Sequence, residues 1–446
     1  MAQQAKTFEN RSSDLITIKE VFDRKDINGM GRFAMLSSVI IGTLMGGFTG
    51  GNLYTAFLTL HDFSIVDVGI IGVLPLLASC FSVFGPMILE RFKKRKWVLA
   101  AGRLVYYIIN ILGTTLMPFV THTKEQAVVF LGAIMFLGGL VNYLFASGYT
   151  VWHLKFIEGP VRARYYAISQ LVSALVGSGT LVGVGLLADI ILAKPNAAEI
   201  ITALRFVGFA LAILDVIVLT IPKEYPYTQQ AQINLKNVFL LPIKSPKFLA
   251  TTLILMLWGF SGALSGSAFN YYVLNTVKAS VTVMNLFTPF NMVFLFLFSK
   301  YWLRVLDKFS WLKTFALCAI VEIIGKGVYS FVTSDNYLWL YTISLVVSAF
   351  IGVGLNIAYT GLPYMHMPEH DTTYFITFYT LAVTLSSFAG QSIGTALLSI
   401  IGDWSFQMLG MSWGAVQVLT LATTVGYSIC TLICFKLNGK LAVPMR

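Results

Sequence analysis

Five ionisable side chains stand out within stretches of this chain that are otherwise apolar: Arg103, Arg205, Asp215, Glu322 and Lys326. A charge surrounded by hydrocarbon is costly, so such residues pair, line water or take part in chemistry. If its stretch is helical, Glu322 lies about ten residues, or roughly 15 Å, inside it. Lys326 follows at i+4, so acid and ammonium share one helical face and can pair. The pair can be a structural neutralisation, or it can serve coupling or substrate recognition. Arg103 and Arg205 stand near the ends of their stretches, where long side chains can snorkel to the interface. Cys80, Cys318, Cys430 and Cys434 all lie in apolar stretches, without a CxxC or a histidine at metal-ligand spacing. They read as buried reduced thiols, and neither a metal nor another cofactor is expected. No HExxH or paired-acid motif occurs in or beside these stretches, which argues against an enzyme.

The elements that position these residues follow from composition. The 446 residues are 57% hydrophobic and only 11% charged, against about 25% charged in soluble domains. A soluble protein could not cover that much apolar surface, and the mean hydropathy of +0.76 agrees. The net charge of +11 would suggest nucleic acid in a soluble protein. Here the basic residues form short runs between apolar stretches, so membrane orientation explains them and no nucleic-acid partner is expected. Apolar segments fall at 33–60, 66–89, 97–120, 126–152, 165–192 and 200–221, then at 247–275, 281–302, 312–333, 337–365, 373–402 and 411–437. Each approaches or exceeds the ~20 residues that cross a bilayer as a helix, and they are too long and uniformly apolar for barrel strands. The expected fold is an all-α, multi-pass membrane protein with twelve transmembrane helices.

Lys and Arg orient it. With both termini inside, the cytoplasmic segments hold 25 of the 31 basic residues, and the outer loops hold only Lys124, Lys194 and Lys278. That asymmetry predicts cytoplasmic termini and a place in the cell membrane. Residues 1–32 lack a signal-peptide pattern. Within them Leu15, Ile18 and Phe22 share a helical face flanked by Lys19, Arg24 and Lys25, which suits a short surface helix. Residues 222–246 are the one long polar interruption, a linker expected to be partly helical near Asn234 to Leu241. It separates bundles at 33–221 and 247–437, and 438–446 forms a cytoplasmic tail.

The two bundles repeat. At an offset of about 215, Arg32-Phe33 meets Lys247-Phe248 and Gly51 meets Gly266; Pro75 meets Pro289 at nearly the same offset. Leu89-Glu90-Arg91-Phe92 likewise meets Leu306-Asp307-Lys308-Phe309. Two like-oriented six-helix units imply a pseudo-twofold axis along the membrane normal. Glycine stripes at Gly42, Gly46 and Gly50, at Gly177 to Gly185, and at Gly259, Gly262 and Gly266 read as close helix packing.

These features, with the charged run Gly85-Pro86-Met87-Ile88-Leu89-Glu90-Arg91-Phe92-Lys93-Lys94-Arg95-Lys96, resemble the major facilitator superfamily across residues 32–437. The family run has Asp where Glu90 stands, one residue nearer the glycine, and a glycine turn where Lys93-Lys94 stands. The resemblance implies a conformational latch at Glu90, Arg91 and Arg95, repeated at Asp307 and Lys308. An acid facing a helix N-terminus is worth about 0.3–2 kcal/mol, which suits a contact that breaks in every cycle. Anchoring to anionic lipid is the other reading of the basic run.

The resemblance also implies that spans three, six, nine and twelve are outer supports, so that all five membrane charges stand behind the cavity. Spans one, four, seven and ten would line it, and their cores offer amides, hydroxyls and aromatics in place of charges. The expected binding residues are Asn52, Asn142, Trp258, Asn270, Tyr271 and Asn356, with Asn291 and Gln391 added from spans eight and eleven. Amides both donate and accept, which suits a small neutral polar solute such as a sugar or glycoside. His153 and His366 read as interfacial residues. The implied function is secondary transport by alternating access, with an exporter of amphipathic compounds as the alternative and a membrane enzyme or lipid-handling protein as the reading from another class. The expected partners are a small-molecule substrate and the bilayer, with a coupling cation left open. A monomer is expected.

Overall fold

The computed structural model describes residues 21–23, 26–89, 91–154, 156–157, 159–224, 235–368, 372–402, 404–408 and 411–441. Among them, eleven helical units are long and apolar enough to cross a bilayer: Ile27–Thr59, Ile65–Phe84, Lys96–Val120, Lys124–Ala146, Ile168–Leu192, Ala197–Leu219, Pro246–Asn275, Val281–Phe298, Tyr337–His366, Tyr374–Ile401 and Ala415–Gly439. Trp311–Tyr329 is a further continuous helix of 19 residues carrying Lys313, Glu322 and Lys326. Its charges rather than its length set it apart, since 19 residues rise about 28 Å. A twelve-span arrangement is compatible with it. Counting it as the ninth, the helices are numbered first to twelfth in chain order below.

Local chemistry sets many of the boundaries. Ser64 and Asp67 form a capping box at the start of the second helix, satisfying orphan N–H groups there. Pro246 opens the seventh at its first turn, where its missing N–H costs nothing. Gly51, at φ +57°, breaks the first helix between Ile27–Thr49 and Gly51–Thr59, a left-handed conformation that glycine adopts without steric cost. The third helix widens into a π-helical turn at Ile108–Gly113 before continuing as Thr114–Val120. The linker contains the helix Leu235–Ile243, whose Phe239 meets Phe378 of the eleventh helix edge-on at 6.2 Å. Of the N-terminal surface helix expected from Leu15, Ile18 and Phe22, only Phe22 lies among the described residues.

One departure from all-α is an antiparallel hairpin, Phe406–Met408 with Met411–Trp413. It sequesters the apolar residues from 411, so the last helix begins at Ala415. Each half has its own core: Phe57, Leu131 and Ile201 in the first, Leu255, Phe315 and Cys434 in the second. Outside these cores the surface is apolar, with Val129 at 72%, Phe296 at 75% and Ile400 at 79% exposure. Such a surface has lipid as its natural solvent.

The helices alternate in direction, giving the molecule two ends. At the terminus-bearing end, Arg32 donates to the Phe156 carbonyl at 2.9 Å, and the Ser310 hydroxyl donates to Asn438 at 3.1 Å. Lys124, at the opposite end, pairs with Asp67 at 2.9 Å.

Candidate functional site

In the N-terminal half the membrane charges do not reach the interface, contrary to the snorkelling expected from sequence. Asp215 is fully buried. It accepts from Arg103 Nε at 2.7 Å, from the Tyr107 hydroxyl at 2.6 Å and from the Ser38 hydroxyl. Arg205 is 1% exposed and donates to the Thr49 carbonyl at 2.9 Å and to the hydroxyls of Thr114 and Thr115. Its guanidinium also lies 4.9 and 4.7 Å from the ring centres of Tyr54 and Phe57. Asp215 of the sixth helix meets Arg103, and groups of the first and third helices meet Arg205, inside the bundle, which removes the need to reach for headgroups. A cavity of about 380 Å³ sits beside Arg103, bordered by Gly42, Met45, Tyr106, Tyr107, Asn142 and Tyr149.

The C-terminal half is built differently. Its ninth helix packs against the tenth and twelfth, so it is peripheral as the resemblance implies, but its charged side chains are not behind the cavity. Glu322 and Lys326 border a space of about 330 Å³ with Gly262, Ser265, Gly266 and Asn270 of the seventh helix and Ser348 of the tenth. A second space of about 400 Å³ holds Trp258, Asn291, Asn356 and Tyr359, and Phe287, Glu322 and Ser348 border both. Small residues make the opening, since a Cβ built on Gly266 would meet no atom within 4 Å. The glycine stripes are thus divided in use. Gly259 and Gly262 pack against Ser387 and Tyr427, whereas Gly42, Gly46, Gly179, Gly183 and Gly266 border empty space.

The eight amide and aromatic candidates separate into two groups. Asn142, Trp258, Asn270, Asn291 and Asn356 border cavities. Trp258 is held by stacking on Tyr427 at 3.8 Å, and Asn291 donates to the Ala349 carbonyl at 2.8 Å. Asn52, Tyr271 and Gln391 instead join the two halves. Asn52 donates to Asn285 Oδ1 at 2.8 Å, the Tyr271 hydroxyl to the Phe63 carbonyl at 3.0 Å, and Gln391 to the Gly69 carbonyl at 3.4 Å.

Asp189, a residue that sequence reasoning passed over, is the strongest member of this closure. At the far end of the fifth helix it accepts from the backbone N–H of Val281 at 2.7 Å and of Thr282 at 3.1 Å, and from the Thr282 hydroxyl at 2.5 Å. Asn285 adds a donation to the Leu181 carbonyl at 2.9 Å, and Asn275 one to Thr59 at 3.1 Å. Among the described residues, the hydrogen bonds between the halves gather away from the termini. Asp189 lies within the 165–192 apolar stretch, so counting every acid in that stretch would have found it.

Of the latch residues, Glu90 and the side chain of Asp307 lie outside the described residues. Arg91 and Lys308 are exposed. Arg95 is 4% exposed and donates to the Phe92 carbonyl at 3.2 Å, and the Lys96 backbone N–H donates to Glu224 at 3.0 Å.

No protein-family model and no curated protein matches the chain. Solved structures do. A variant of the nucleoside transporter NupG superposes with a TM-score of 0.67 at 10% identity, covering 92% of this chain and 100% of that one. A bacterial homologue of the iron transporter ferroportin, in an inward-facing state, gives 0.67 at 12% identity, covering 91% and 98%. The inward open conformation of the xylose transporter XylE from E. coli gives 0.62 at 13%, covering 91% and 96%.

Proposed function

The chain has the fold of the major facilitator superfamily transporters, and from that premise we propose that it carries a small neutral polar solute of sugar or glycoside type across the cell membrane by alternating access. The observation that carries this reading is the one-sided closure. Hydrogen bonds join the halves at the end away from the termini, centred on Asp189 and the Asn52–Asn285 pair, while cavities lined by amides and aromatics lie inside the bundles. A two-half protein closed at one end is one stage of a rocking cycle. The basic asymmetry puts the termini in the cytoplasm, so the closed end is the outer one. The match to structures in inward-facing and inward open states supports the same stage. The loop from Gly85 to Lys96 then serves as the cytoplasmic latch, with Glu90 as its acid.

The test is entrance counterflow in liposomes containing the purified chain, with labelled D-xylose, phenyl β-D-glucopyranoside and uridine as solutes. Saturable counterflow of an unaltered solute is the expected result. Chemical conversion of the solute, or a leak without saturation, would refute the reading.

A further inference from the structure

The two halves treat their membrane-embedded ion pairs in opposite ways. Asp215 receives three donors and has no exposed surface, so that pair is complete in itself. Glu322 Oε1 and Lys326 Nζ stand 3.9 Å apart, with side-chain exposures of 14% and 29%. That separation exceeds the 2.7–3.2 Å of an N–H···O hydrogen bond. Among the described residues neither head group has a hydrogen-bond partner. Both border the cavity between the seventh and tenth helices, and Glu322 also borders the adjoining one. Lys326 Nζ is steadied by the Tyr329 ring, 4.9 Å from its centre.

We propose that Glu322 and Lys326 form a two-point clamp inside the C-terminal half for an uncharged, hydroxylated solute with one apolar face. The proposal rests on the transporter reading and adds to it the chemistry of the substrate. Its geometry is direct. An oxygen can sit about 2.8 Å from both head groups at once, donating its proton to the carboxylate and accepting from the ammonium. A hydroxyl does both, as Lys326 can only donate and an ionised Glu322 can only accept. The pair is neutral overall, so a cation meets Lys326 and an anion meets Glu322 as a like charge. A zwitterion would have to separate the pair and desolvate two further charges. Ser265, Asn270 and Ser348 offer hydrogen bonds around the clamp, and Phe287, bordering both cavities, offers an apolar wall. Spaces of about 330 and 400 Å³ fall in the usual range for small-molecule sites.

The test is equilibrium binding of phenyl β-D-glucopyranoside to the purified full chain in nanodiscs, with L-phenylalanine and benzyltrimethylammonium as comparators. The glucoside is expected to bind more tightly than either comparator, and Glu322→Gln and Lys326→Met should each weaken it at least 10-fold. Either single change strands a charge and can harm folding. The double variant Glu322→Gln/Lys326→Met strands none, so it should keep a wild-type-like Tm while still losing the glucoside. A folded double variant that binds the glucoside like wild type overturns the clamp, as does tighter binding of either comparator or no glucoside binding at millimolar concentration. Counterflow separates the two levels. Wild-type counterflow with unaltered binding in the double variant removes the clamp and leaves the transporter reading standing. Clamp-dependent binding without any counterflow does the reverse.

Discussion

Replacing Asp189 with Asn should loosen the closed end of the molecule, and its effect can be worked from three contacts. The carboxylate accepts from two backbone N–H groups and one hydroxyl, all belonging to Val281 and Thr282 of the other half. Hydrogen bonds to a charged acceptor contribute about 1.5–3 kcal/mol each, and neutral ones about 0.5–1.5. Asn keeps one acceptor oxygen and turns an NH2 group toward the remaining donors. The net loss should be about 2 kcal/mol, or roughly a 30-fold change in an equilibrium constant. These contacts join the halves only while this end is closed, so the loss should appear as a shift toward its opening. The readout is the distance between spin labels on cysteines replacing Lys194 and Lys278, which stand in the loops flanking the contact. Wild type should show mostly the short distance. Asp189→Asn should populate a longer one, and Asp189→Glu, which keeps the charge, should restore much of the short population. An unchanged distance distribution in a folded Asp189→Asn protein would refute the reasoning, because the closure would then owe nothing to this carboxylate.

Asp215→Asn should be among the most damaging single changes in the N-terminal half. It leaves the Arg103 guanidinium inside the bundle without its counter-charge, at a cost of about 3–5 kcal/mol, measurable as a fall in Tm. Topology gives another prediction: cysteines replacing Lys124 or Lys194 should react with an impermeant thiol reagent applied to intact cells, and one replacing Lys94 should not. The reversed pattern would overturn cytoplasmic termini.

The helices were legible in the sequence because lipid demands long apolar runs, and hydropathy records them residue by residue. Partnership is not recorded in that way. Arg103 and Asp215 are 112 positions apart, and Ser38 stands 177 from Asp215, so nothing local to either charge shows that they meet within one bundle. Sequence therefore sent both arginines to the membrane surface when the fold had given them partners inside. The amides show a similar limit. Asn52 and Asn270 look alike as polar residues in apolar segments, yet one donates across the halves and the other borders a cavity. The Glu322–Lys326 pair was visible from its i+4 spacing. Its exposure to the cavity depends on small residues of other helices, Gly266 and Ser348 among them, whose alignment with it only the folded bundle reveals.

The π-helical turn in the third helix carries a historical implication. Such a turn holds one residue more than an α-helical path of the same shape, and each residue turns an α-helix by about 100°. Thr114 and Thr115, immediately beyond it, both present hydroxyls to Arg205. Deleting one residue from Ile108–Gly113 would straighten the helix and swing both threonines away, leaving the guanidinium without those acceptors. The extra residue and the arginine therefore depend on each other: a chain that lost the insertion while keeping Arg205 would leave its guanidinium only the Thr49 carbonyl and the Tyr54 and Phe57 rings. Related chains should carry both features or neither.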